Sequence, residues 1–69
     1  CTIRTRTGFV PEELQEALAA SGIKIIERQI FDHPEDRVFE LKLAGPARQF
    51  DVVAEKLLRQ EGILGVHFG

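Results

Sequence analysis

The chain has 69 residues, of which 43% are apolar and 29% charged, with a formal net charge of −2. That length allows one small domain, in which a single core is only marginally sufficient unless a disulfide, a metal or a second surface contributes. The composition is that of a folded globular chain; it excludes low-complexity disorder, and the net charge excludes the strongly basic field expected of a nucleic-acid binder.

The one cysteine, Cys1, has no internal partner, and no CxxC or Cys/His cluster offers zinc ligands, so a reducing, cytoplasmic setting is expected. No apolar run approaches the ~18–20 residues of a membrane span, and no signal segment opens the chain. Direct insertion of this segment into a membrane is therefore not expected. The chain starts at Cys1, already in a strand-like pattern, which suggests that residues 1–69 are a single domain excised from a longer protein.

Cys1 to Thr7 alternates Ile3, Thr5 and Thr7 against Thr2, Arg4 and Arg6, the period of a strand with one buried face. Gly8 breaks it. Pro11 suits a first helical turn, with Glu12 and Glu13 at the positive end of the helix dipole, and Leu14, Ala17 and Leu18 then fall at helical spacing until Gly22. Ile23 to Phe31 reads as a second strand. It is rich in isoleucine, with Ile26, Arg28 and Ile30 on one side and Ile25, Glu27, Gln29 and Phe31 on the other; which side is buried stays open.

The run Asp32-His33-Pro34-Glu35-Asp36 is a turn by composition, and Arg37 to Leu43 alternates again, with Phe39, Leu41 and Leu43 on the apolar side. A hairpin follows from this. Gly45 and Pro46 open a second helix whose stripe is Phe50, Val53, Ala54, Leu57 and Leu58, and Gly62 ends it. Ile63 to Phe68 is the last strand, with Leu64, Val66 and Phe68 on one face.

The predicted order is βαββαβ. Helices with one apolar stripe and strands with one apolar face bury those surfaces together when both helices pack on one side of an antiparallel sheet. Right-handed crossovers give the order 4-1-3-2, so the fold class expected is an α+β, ferredoxin-like βαββαβ sandwich. The expected core comprises Ile3, Leu14, Leu18, Phe39, Leu41, Phe50, Val53, Leu57 and Val66.

Chemistry is less legible. The loop TGFVPEE lacks the CxxC of a soft-metal chaperone, and His33 among Asp32, Glu35 and Asp36 sits in a turn too short to wrap a cation. His67 has no base or nucleophile nearby in sequence, and Cys1 belongs to no recognisable Cys-His-Asx arrangement. No catalytic, metal or cofactor site is expected, and the chain is not expected to be an enzyme. The strand from Ile23 to Phe31 lies at a sheet edge with apolar residues on both sides, so Ile25, Ile26 and Arg28 are candidate contacts of a homodimer or of an intramolecular partner.

The run from Val10 to Phe68, with EELQEALAASGIKI, an acidic turn, FELKLAG and a second helix closing in EGILGV, resembles a small ACT domain. An amino-acid-sensing ACT domain grips its ligand with a turn after the first strand. By that resemblance Gly8, Phe9 and Val10 are the candidate ligand loop, although the acidic residue and Pro-Gly order of such turns are missing from Thr7-Gly8-Phe9-Val10-Pro11. A narrower resemblance, carried by Cys1 at the head of the first strand and by ILGVHF, is to the cytosolic C-terminal domain of MgtC/SapB-family membrane proteins, associated with magnesium homeostasis. It implies a non-catalytic regulatory domain on the cytoplasmic face of a membrane, acting through self-association or contact with a membrane domain.

Overall fold

A computed structural model describes residues 1–68. Six elements follow one another: β1 (Thr2–Thr5), α1 (Pro11–Ala20), β2 (Lys24–Asp32), β3 (Arg37–Ala44), α2 (Ala47–Arg59) and β4 (Ile63–His67). The four strands form one antiparallel sheet in the order β2-β3-β1-β4. Read from the β4 edge, this is the order the crossovers dictate.

Local chemistry explains the boundaries. Pro11 occupies the first position of α1, where its missing N–H costs nothing. At the other end, Gly22 takes φ +73° and Ile23 donates its N–H back to Leu18 C=O at 3.0 Å, which closes the helix on a left-handed residue. Gly62, at φ +94°, turns α2 into β4, and a Cβ there would fall 2.8 Å from Arg6 Nε and 3.0 Å from Phe9 Cδ2. Only glycine fits.

The core lies between the sheet and both helices. Ile3, Phe39 and Leu41 face Leu14 and Leu18 of α1 and Val53 and Leu57 of α2. Phe9, Ile23 and Ile63 complete it, and Thr5, fully buried, donates its hydroxyl to backbone oxygens of Arg6 and Arg37. These three apolar members were not anticipated. Conversely Phe50 and Val66, expected inside, are half-buried, with Phe50 edge-on to Phe68 at 5.4 Å between ring centroids. Leu58, expected in the α2 stripe, is exposed.

Both edge strands carry a bulge, and this settles the facing of β2. Ile25 pairs with Leu43 and Glu27 with Lys42, so Ile26 is an extra residue with no partner of its own. Beyond it the phase flips: Arg28 pairs with Leu41 and Ile30 with Phe39, which puts them on the helix side with Ile25, while Glu27, Gln29 and Phe31 face the uncovered side. Leu64 does the same on β4, where Arg4 pairs with Gly65 and Thr5 with Ile63. Ile63 rather than Leu64 therefore enters the core.

Three substitutions test this packing in urea denaturation. Phe39→Ala, which empties a site with no solvent access, is expected to cost about 3–5 kcal/mol, and Phe50→Ala distinctly less because its ring is partly hydrated already. Ser21→Ala is expected to raise stability by about 1 kcal/mol, since the buried Ser21 hydroxyl has no hydrogen-bond partner.

Candidate functional site

The loop after β1 is built shut. Gly8 adopts φ +77° and lets the chain fold back, so that Phe9 drops its ring into the core against Phe39, edge-on with centroids 6.4 Å apart. The Phe9 N–H donates to Arg6 C=O, and Arg37 donates Nη1–H to Phe9 C=O at 2.8 Å. Arg37 is held in turn by the Asp32 carboxylate through its Nε. Of the three candidate loop residues, Phe9 thus has a buried ring and both backbone groups engaged. Gly8 and Val10 remain at the surface.

The β2 candidates fare differently from one another. Ile25 packs against the core, Ile26 stands at the bulge and is 49% exposed, and Arg28 is exposed on the helix side of the sheet. Two residues the sequence analysis did not single out join them: Ile30, 38% exposed, and Phe31, 43% exposed. Every residue from Ile26 to Asp32 is exposed. A shallow seam runs beside this edge between β2 and α1, bordered by Gln15, Ala19, Ile23 and Ile25 at one end and by Gln15, Ile26 and Arg28 at the other. The signal for Ile30 and Phe31 was present in the sequence as apolar residues on both strand faces, but the bulge hid which face each occupies.

The uncovered side of the sheet is mixed in charge. Phe31, Val38, Arg4 and Gly65 form one row across the four strands, and Gln29, Glu40, Thr2 and His67 form the next. Arg4 approaches Asp36 at 3.7 Å, an exposed pair of little energetic weight. The face holds one exposed aromatic ring, on an edge strand, rather than a central stacking platform.

Cys1 and the two histidines stand apart in the fold. Cys1 lies half-buried beside Leu43, Phe50 and Phe68, where it borders a shallow apolar opening. His33 is in the hairpin turn, its N–H bonded to Asp36 C=O, and His67 projects from β4 opposite Thr2. Among the described residues no three His, Cys, Asp or Glu side chains come together as metal ligands. Among the described residues no helix is long and apolar enough to cross a membrane.

Comparisons of the chain with protein-family models, with curated proteins and with solved structures give no match in any of the three. The reading of function therefore rests on the molecule itself.

Arg37 is the cross-link that fixes the β1–α1 loop. Arg37→Met is expected to cost about 1–2 kcal/mol in urea denaturation, the low part of the range for a charged donor because the pair is only partly buried. The amide signals of Gly8 to Val10 should broaden in the variant, whereas those of α2 should not move.

Proposed function

We propose that this chain is a non-catalytic interaction domain whose working surface is the β2 edge with its α1 seam. The observation that carries the reading is the exposure of β2: a strand containing three isoleucines and a phenylalanine is open to solvent along seven consecutive residues. An unpaired edge of that kind is a template for another strand, and small domains cover or charge such edges unless they use them. Charge is present, in Lys24, Glu27, Arg28 and Asp32, but it alternates in sign along the strand and so selects partners rather than repelling all of them.

The connectivity and sheet order accord with a ferredoxin-like sandwich, and the resemblance to the cytosolic C-terminal domain of MgtC/SapB-family proteins fits an accessory role of this kind. In that reading the domain sits on the cytoplasmic side of a membrane and acts on a neighbouring membrane domain, or on its own copy, by contact. The other reading, an amino-acid-sensing ACT domain, draws on Gly8, whose positive φ leaves open space above the loop. Against it stand the buried ring of Phe9 and the carbonyl already occupied by Arg37.

Sedimentation velocity across roughly 10 µM to 1 mM reads the equilibrium directly, since self-association stabilises by mass action. The native chain is expected to shift from monomer to dimer, and Ile30→Lys, at an exposed position in the middle of the open stretch, to remain monomeric. Amide spectra recorded with the common amino acids at millimolar concentration should leave Thr7 to Pro11 unmoved; saturable shifts confined to that loop would establish the sensor instead.

A further inference from the structure

The ladder determines which backbone groups of β2 look outward. His33 donates its N–H to Asp36 C=O, while Cys1 and Leu41 exchange both of their backbone bonds, so Leu41 directs its groups at β1 and its neighbours Glu40 and Lys42 direct theirs at β2. By the alternation of an antiparallel ladder, Glu27, Gln29 and Phe31 bond to β3. Arg28, Ile30 and Asp32 therefore present their N–H and C=O groups to solvent.

We propose that two copies of the chain pair their β2 edges antiparallel about a two-fold axis through Ile30, so that Arg28 of each copy faces Asp32 of the other. This rests on the reading of β2 as the interaction surface and adds its partner and its register. A two-fold axis normal to the sheet keeps each face on its own side, so outward residues must meet outward residues. Centred on Ile30, the three outward residues satisfy one another completely: Arg28 with Asp32, Ile30 with itself, Asp32 with Arg28. Opposite charges meet twice, and the half-exposed Ile30 side chains meet at the axis.

Each neighbouring register fails for a nameable reason. A centre on Arg28 opposes two guanidinium groups, and one on Asp32 opposes two carboxylates. A centre on Phe31 sets Arg28 against Pro34, which has no N–H to give. A centre on Gln29 sets Asp32 against Ile26, where the bulge interrupts the strand. Asp32 is already bound by Arg37, yet its side chain stays 66% exposed, and a carboxylate has lone pairs for a second guanidinium.

Disulfide trapping tests the register. In a Cys1→Ala background, single cysteines replace Arg28, Gln29 or Ile30 in turn, and each variant is oxidised mildly at a concentration where the native chain dimerises. Directly opposed residues have Cα atoms about 4.5–5.5 Å apart, within disulfide reach, so Ile30→Cys is expected to cross-link and the other two are not. Separately, Arg28→Asp places like charges opposite each other twice and is expected to weaken dimerisation about tenfold or more by sedimentation. A native chain that stays monomeric throughout overturns both the register and the self-association it rests on. A dimer that cross-links through position 28 or 29, cross-links through none of the three, or is indifferent to Arg28→Asp overturns the register alone.

Discussion

Ile3 and Phe39 stand opposite each other on the two central strands, and neither has any access to solvent. The pair is the floor of the core: both helices rest on it, and the Phe9 ring seals it at the loop end. A chain of 69 residues has only enough apolar surface to cover one face of its sheet; both helices lie on that face, α1 nearest β2 and α2 nearest β4. On β2 the cover reaches Ile25 and leaves the residues from Ile26 onward exposed. That strand is bonded along one side only and keeps exposed apolar side chains on both faces, Ile30 on the helix side and Phe31 on the other.

The same shortage explains the loop architecture. The β1–α1 connection is secured by the one ring it can bury, Phe9, and by specific bonds, Arg37 to the Phe9 carbonyl and Arg6 N–H to Gly62 C=O. Gly62 has to be small for the second of these, because Arg6 and Phe9 already fill the space a side chain would take. Three separate segments thus meet at one end of the sheet: the loop after β1, the first residue of β3 and the turn before β4. A loop so tied is a poor candidate for a ligand grip that must open and close.

Much of this was legible in the sequence, and what was not has a common cause. Punctuation by Gly8, Pro11, Gly22, Pro46 and Gly62 placed all six elements to within a residue or two, with β1 stopping at Thr5 rather than Thr7. Strict alternation read the central strand β3 correctly, with Phe39 and Leu41 inward. It failed on β2 and β4, the two strands with one bulge each, because an extra residue reverses every face after it. Ile25 and Ile30 are an odd number of residues apart and yet share a face; so do Ile63 and Val66. Phe9 was missed for a related reason: once Gly8 had ended the strand pattern, nothing in the period indicated that the next side chain would turn back into the core.

Bulges on edge strands are usually a defence, since they twist the edge away from would-be partners. On β4 that account suffices, because the strand has only five residues and the bulge at Leu64 leaves just Gly65, Val66 and His67 regular beyond it. On β2 it does not, because the strand is longer and the bulge leaves Glu27 to Asp32 regular, bonded to β3 on one side and open on the other. A device placed purely to prevent pairing would break the strand at its centre, near Arg28 or Gln29. Placed at Ile26 it limits pairing to one short stretch, and within that stretch the outward charges are one arginine and one aspartate. The edge is restricted in extent and self-complementary in charge, the two properties that the proposed pairing requires.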